Sequence, residues 1–563
     1  MKIIHLLIVE GYVKGEARLK KNRMMLVLFA CLSLIAACAP QEAGKGTQAS
    51  EMTKVEKEKP AVTPDEMEPE AVERELDEDF LKVEPQAQQN LSFNVFPANK
   101  VYDWQAASVF PDVYTEVEGI LTFRGNHFRN TSSYGEVKTN PRSLQKVWSF
   151  STGSSPKWGG GAGWTGQPAI VKWPADVKEI MNVKEEFKSK ENFIEVIYAS
   201  LDGNIYFFDL ESGRQSREPI CIHNPIKGSV SVDPRGYPLL YVGQGIPQQG
   251  EIGFRIFSLL DGKMLHFIPG NDSDAYRQWG AFDGSALVNR ETDTLLLGGE
   301  NGLFYSAKLH TVFNKEAKSI AVTPELVKYR YNVNGNDYQG IENSVAVYRN
   351  LAFFADNGGS VQGIDLMTMK PIWALPGTDD TDASIVIDIE EGTPVLYTGT
   401  EVDKRRGSGS HSLIRKINGT TGDVIWKKEY AAFYHESVNG GLLATPIVGQ
   451  KDIQDLAIFT IARHKKMDAG LFVALNKTTG EEVWRWEMPN YTWSSPAVLY
   501  DKNGKAYIIQ CDSTGTMFLI DGKTGKTLNQ LYLGSNIEAS PAIFHDSIIV
   551  ASRGGQIFKV DIR

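Results

Sequence analysis

The sequence predicts an all-β chain folded as an eight-bladed β-propeller of four-stranded blades. Three observations predict it: a recurring hairpin signature, a recurring strand-opening signature, and the complementarity of the two ends of the repeated region. The hairpin signature is clearest in GLFVALNKTTGEEVW, where Gly470 is followed by Asn476, Gly480 and Trp484. The same spacing places Asn418, Gly422 and Trp426 in LIRKINGTTGDVIW, and Gly359, Asp365 and Trp373 in GSVQGIDLMTMKPIW, where Met369 replaces the turn glycine. Gly203, Asp209 and Gly213 form another copy, as do Gly515, Asp521 and Gly525; weaker copies surround Ser258 and Gly302. Each copy reads as an alternating strand, a turn, and a returning strand. In the turn an Asp or Asn side chain caps backbone amides and glycine takes a left-handed conformation.

Upstream of each hairpin a small residue and a Ser or Thr open a short apolar run. These markers stand at Gln167 (the exception to Ser/Thr), Ser229, Ser285, Ser344, Ser384, Thr445, Ser495 and Ser540. A further apolar segment lies between marker and hairpin, so each of the eight units carries four strands. Repeats of roughly 40 to 60 residues with four strands suit radial packing. A tandem solenoid would leave two raw sheet edges. The last unit reaches Arg563 one strand short, while KVWSFSTG, from Lys146, is a lone Trp-bearing strand ahead of the first marker. Joining the two completes the eighth blade and closes the ring.

Composition sets limits on function. With 42% hydrophobic residues in 563, the chain can bury a large core. A net charge of −10 offers no broad basic surface for phosphates, so nucleic acid is not an expected partner. At the N-terminus, Arg18, Lys20, Lys21 and Arg23 precede MMLVLFACLSLIAA, an apolar run suited to an export signal rather than a bilayer span. It ends in Ile35-Ala36-Ala37-Cys38, which resembles a bacterial lipobox.

The expected organisation follows from these segments. Residues 1–38 are a lipoprotein signal with Cys38 as lipid attachment, and 39–95 an acidic, Pro-rich solvated tether. Residues 96–145 are a lead-in and 146–563 the propeller. By the flexible-chain estimate the tether would hold the folded part roughly 40 Å from the membrane. The expected location is the outer face of the cytoplasmic membrane, or an outer membrane. Beyond Cys38 the chain keeps only Cys221 and Cys511, whose pairing the sequence leaves open.

The hairpin consensus A-x-[DN]-x-x-T-G-x-x-x-W resembles the tryptophan-docking motif of the pyrroloquinoline-quinone (PQQ) repeat family of eight-bladed propellers, over roughly Leu121 to Arg563. The resemblance implies that Trp148, Trp373, Trp426 and Trp484 pack on the neighbouring blade and donate their indole N–H. Arg217, His266 and Asn529 occupy that position elsewhere, where looser docking is expected. The stretch LTFRGNHFRNTSSYG is similar to the one before the closing strand in quinoprotein dehydrogenases and related lipoproteins, and its Arg124 and Arg129 read as structural.

Residues two positions before each marker face the mouth of the central channel: Thr165, Lys227, Asp283, Glu342, Asp382, Leu443, Trp493 and Glu538. Four carboxylates around one opening repel one another unless a cation, the lysine or protonation intervenes. Lys227, Asp283, Glu342, Asn343, Asp382, Trp493 and Glu538 are therefore the candidate site, for a cation or a polyhydroxylated ligand. The resemblance implies that enzymatic members hold PQQ and Ca²⁺ at this mouth. Glu342, Asn343 and Asp382 offer oxygen donors for such a cation, and Trp493 an aromatic floor.

Other parts of a quinoprotein are missing from the sequence. It has no adjacent Cys pair and no C-x-x-C-H haem motif, and no catalytic Asp–Arg set falls in register. WGGGAGWTG, from Trp158, precedes a strand rather than a helix and reads as a mouth loop, not a phosphate cradle. The expectation is a lipid-anchored binding or scaffolding module for an envelope protein or glycan, with no catalytic residues and no cofactor. In lipobox and repeats it resembles the propeller lipoproteins of outer-membrane assembly. The alternative is a PQQ- and Ca-dependent dehydrogenase of alcohols or sugars.

Overall fold

The computed structural model describes residues 81–86, 90–97, 109–137, 140–163, 166–403, 410–435 and 438–563. Cys38, the tether up to residue 80, Thr165 and most of the KRRGSGS insertion lie outside the described residues. Within each unit the middle strands are apolar on both faces because a neighbouring blade covers each face, while the outermost strand alternates. In the sixth unit, for instance, Leu456–Ala462 is buried throughout, whereas Glu482–Met488 alternates between more and less exposed positions.

Eight antiparallel blades result. From innermost to outermost strand, blade 1 runs from Ala169–Val171 to Ile220–Cys221, and blade 2 from Ser231–Val232 to Met264–Pro269. Blade 3 runs from Leu287–Asn289 to Glu325–Val333, and blade 4 from Ala346–Tyr348 to Lys370–Ala374. Blade 5 runs from Val386–Glu390 to Val424–Ala431, and blade 6 from Ile447–Val448 to Glu482–Met488. Blade 7 runs from Ala497–Tyr500 to Thr527–Tyr532. Blade 8 starts at Ala542–Phe544, and its third strand, Gln556–Ile562, pairs with Leu144–Ser151 as the fourth. Ser151 stands opposite Gln556 and Leu144 opposite Ile562, so the ring closes by the strand exchange the sequence predicts.

The turns work as the repeat signature requires. Asn476 Oδ1 accepts the amides of Thr478 and Thr479 at 2.9 and 3.0 Å, and the Gly480 amide closes the turn on the Asn476 carbonyl at 2.8 Å. Gly480 has φ +70°, and its turn lies against the Trp426 indole of the preceding blade, where a Cβ would come within 2.9 Å of the ring. Gly213, Gly422 and Gly525 lie in the same way on Trp148, Trp373 and Trp484. The indole N–H of Trp148, Trp373 and Trp426 donates to the carbonyls of Leu210, Gly419 and Lys477 at 3.1, 2.7 and 2.8 Å, while Trp484 Nε1 is buried without a partner. Arg217 corrects the expectation of looser docking. Its Nη1 donates to the Leu259 carbonyl at 2.8 Å, in the manner of an indole, and Glu195 neutralises its charge through contacts of 3.0 and 2.8 Å. Asn529 likewise reaches the next blade, accepting the Leu144 amide at 3.1 Å.

The expectation of a tether running to residue 95 is corrected at its C-terminal end. Leu91–Phe96 adds a fifth, outer strand to blade 3, with Leu91 opposite Val333. Leu81 and Val83 pack on the apolar core of blade 4, and the Gln86 amide donates to the Ile372 carbonyl at 2.8 Å. The acidic composition upstream masks these few apolar residues, yet an outer blade edge needs only a short partner. The charged insertion after Val183 forms the helix Glu185–Lys188, held down by buried Phe187. A small hairpin, Val312–Asn314 with Ser319–Ala321, is inserted between the third and fourth strands of blade 3 as a sheet of its own.

The lead-in fills the ring axis. Gly119–Ile120 pairs with the inner strand of blade 1, and Ser133–Tyr134 runs parallel to that of blade 8. Between them the chain accepts amides from the inner strands of other blades: Val232 to Leu121, Val347 to His127 and Ile387 to Phe128, at 2.7 to 2.9 Å. Arg124 and Arg129, both essentially fully buried, act as spokes. Arg124 donates to the carbonyls of Pro446 and Pro496, and Arg129 to those of Ser285, Val345 and Phe123. The structural reading of both arginines holds.

Candidate functional site

The strand-opening markers build the frame of the mouth. The Gln167 amide donates to Ser229 Oγ, Ser285 to Ser344, Ser344 to Ser384, Ser384 to Thr445 and Thr445 to Ser495, at 2.9 to 3.1 Å. A hydroxyl at this position thus satisfies the first inner-strand amide of the preceding blade, which explains why Ser or Thr recurs there. The lead-in plugs the axis from the far ends of the inner strands up to these markers. Its contacts run from Ser285 and Pro446 at strand starts to Arg349, Tyr500 and His545 at the opposite ends. The residues preceding the markers therefore rim a recess on the other face.

In that recess the structure brings together Lys227, Asp283, Glu342 and Asp382 from blades 2 to 5. Lys227 Nζ forms an ion pair with Asp283 and lies 3.1 Å from Glu342 Oε1. The Asn357 amide lies 3.0 Å from Glu342 Oε2 and 3.2 Å from both Asp380 and Asp382 Oδ1, and Arg277 donates to Asn357 Oδ1 at 2.6 Å.

Besides Asp380, two buried carboxyls join that sequence reasoning missed. Buried Glu300 accepts the Trp279 indole N–H at 2.7 Å, and fully buried Glu401 accepts Asn439 Nδ2 at 2.8 Å. Both follow the second strand of their blade rather than preceding the first. The signal was present: Glu300, Asp356-Asn357 and Glu401 recur just after Thr294–Gly298, Leu351–Ala355 and Thr393–Gly399.

The charges do not balance within the cluster. Burial opposes the charge on Lys227, but Asp283 and Glu342 outweigh it and hold the ammonium well above its usual range. Burial likewise opposes the charge on Glu342, yet Lys227 and the Asn357 amide keep its carboxyl below the usual range. The other acids go the opposite way. Burial pushes Asp283 up to about 6 against the pull of Lys227. Glu300 is raised well above its ordinary value by burial, then by Glu342 and Asp283. Asp382 and Glu401 are raised similarly, by burial and then by Asp380. Lys227, with Arg277 beside it, cannot neutralise all of these carboxyls, so protons or a cationic ligand must balance the rest.

The remaining candidates lie elsewhere. Asn343 is tied to the backbone, its amide donating to the Ala355 and Thr381 carbonyls at 2.8 and 2.9 Å. Trp493 and Glu538 belong to blades 7 and 8. Glu538 accepts Asn536 Nδ2 at 2.8 Å and lies 3.7 Å from Arg553. The Arg463 guanidinium covers the Tyr491 ring at 3.9 Å and the Trp493 ring at 5.5 Å, closing the aromatic floor with a cation. Leu443 is a buried apolar residue.

Of the oxygen donors named for the PQQ and Ca²⁺ alternative, Glu342 is paired with Lys227 and Asp382 lies 3.2 Å from the Asn357 amide. Asp283, Glu300 and Glu342 each offer an oxygen within 4.8 Å of the others, but Lys227 already supplies their cation. Asn343 is spent on main-chain carbonyls.

Fold and mouth together define an eight-bladed β-propeller with a plugged axis and an acidic recess. No family model matches this chain, and no curated protein does. Among solved structures it is similar to the quinohemoprotein alcohol dehydrogenase ADHIIG of Pseudomonas putida HK5, with 11% identity over 79% of this chain and 80% of that one, TM-score 0.52. The quinohemoprotein alcohol dehydrogenase of Comamonas testosteroni gives 11% identity over the same shares and a TM-score of 0.50. BamB of Moraxella catarrhalis gives 15% identity over 74% of this chain and 100% of that one, TM-score 0.47. At these identities the likeness is one of fold alone.

Proposed function

We propose that this chain is a binding or scaffolding module of the bacterial envelope, lipid-anchored through Cys38, which presents its mouth loops to an envelope protein or glycan. The observation that carries this reading is the charge imbalance of the recess. Glu300, Asp382 and Glu401 exceed what Lys227 can neutralise, and the plug makes the recess a blind cup rather than a passage. Such a cup favours ammonium, guanidinium or hydroxyl groups of a partner over anions.

The test is photo-crosslinking in intact cells from Tyr338, on a mouth loop, and from Glu316, on the blade 3 hairpin. Both are exposed. The expected result is one envelope protein or glycan captured from Tyr338 but not from Glu316, with capture weakened by Asp382→Asn plus Glu401→Gln. A Cys38→Ala variant should leave the membrane fraction. Dye reduction with an alcohol or aldose, after reconstitution with PQQ and Ca²⁺, would overturn the proposal in favour of a dehydrogenase.

A further inference from the structure

A second recess, away from the mouth, carries an inference of its own. Between blades 4 and 5 lies a groove of about 480 Å³, walled by Leu375, Pro376, Leu413, Ile425 and Trp426, with Arg415 among its lining. Its outer wall is open: Val424 and Ile425 are 43% and 46% exposed. Volume, apolar walls and a few polar groups, here buried Arg415 and exposed Lys427, are the marks of a small-molecule site.

Arg415 itself is anomalous. It sits on His411–Asn418 of blade 5, opposite Thr398 on one side and Lys427 on the other, and is only 3% exposed. Its Nε and Nη2 have no hydrogen-bond partner, and neither has the buried Thr398 hydroxyl opposite. Burial alone pushes the guanidinium down to about 10, with no acid near enough to hold it up. The other deeply buried arginines are satisfied: Arg124 and Arg129 by backbone carbonyls, Arg217 by Glu195. A buried guanidinium without acceptors is costly to maintain. Its planar fork matches a carboxylate through two parallel N–H bonds.

We propose that this groove binds a small molecule with one carboxylate and an apolar body, the carboxylate meeting Arg415 and the body lying on Leu375, Leu413 and Ile425. One carboxylate satisfies the buried fork, and Lys427, exposed on the same wall, adds attraction for an anion.

Isothermal titration with octanoate tests this, with octanol, octylamine and acetate as controls. The expected result is one octanoate per chain, with each control at least tenfold weaker. Arg415→Met should lose at least tenfold in octanoate affinity while its Tm without ligand stays level or rises, because an unpaired buried charge has gone. Ile425→Asp, on the exposed wall, should weaken octanoate to a similar extent without disturbing the fold. Octanoate binding retained by either variant, acetate binding as well as octanoate, or a lower Tm for Arg415→Met would each overturn the proposal. The last would show that the guanidinium serves the fold instead.

Discussion

Lys227 shows how much one side chain can carry. Its ammonium is the cation for Asp283 and Glu342, and losing it leaves both in a buried setting with Glu300 nearby. Lys227→Met should therefore cost about 3–5 kcal/mol near neutral pH. The loss should shrink near pH 4.5, where the orphaned carboxyls take up protons instead. Urea unfolding of both proteins at the two pH values checks this, and an equal loss at both would remove the charge argument. Wild-type stability has a sign of its own. Asp283, raised to about 6, and Asp356, raised to about 7, contribute stability that is present below the ordinary carboxylate range and lost as pH rises through those values. Glu342, held low, acts oppositely, and its contribution fades only as pH falls below the ordinary range. Tm should thus be higher at pH 5 than at pH 8. A carboxyl raised from 3.8 to about 6 loses about 1.4 kcal/mol across that span, because only one unit of its folded titration lies above pH 5. Asp382→Asn and Glu401→Gln should flatten the slope, as followed by scanning calorimetry.

At the scale of elements, blade docking was legible because it is local and periodic. Asn476, Gly480 and Trp484 lie within one hairpin, and the turn that caps itself also presents its glycine face to the preceding indole. Trp373→Phe, which removes the bond to the Gly419 carbonyl while keeping most of the ring, should cost about 1–2 kcal/mol. Gly422→Ala should cost at least as much, since it adds a strained φ of +78° to a Cβ 2.8 Å from the Trp373 indole. Chemical denaturation reads both, and a neutral Gly422→Ala would mean that the indole is not seated as described. The plug was legible only in part. A basic, glycine-bearing stretch signals structure, but the partners of Arg124 and Arg129 are main-chain carbonyls of blades hundreds of residues away, which carry no side-chain signature. The mouth was half legible for the same reason. Positions before the inner strands follow the repeat, whereas Glu300 and Glu401 enter from loops whose register a single blade does not reveal.

For the whole molecule, stability and uniqueness rest on closure. A propeller opened at one interface exposes an unpaired strand edge and two apolar blade faces, so the clasp of Leu144–Ser151 on Gln556–Ile562 holds what the other seven blades depend on. That clasp joins residues about 400 positions apart, and the chain must pay the entropy of so long a loop before the interface forms. A covalent lock there should therefore act on the unfolded state more than on the fold. Ser151 and Gln556 are directly opposite in the register, and Gln556 Nε2 donates to Ser151 Oγ at 2.7 Å, so both side chains share a face at a separation suited to a disulfide. Ser151→Cys with Gln556→Cys should oxidise to a monomeric disulfide, seen as a mobility shift on non-reducing gels. Oxidation should raise the unfolding free energy by up to about 5 kcal/mol relative to the reduced form, seen as a higher midpoint. If the pair failed to bridge, or bridged without raising the midpoint over the reduced protein, the two ends of the chain would not be clasped in the folded ring.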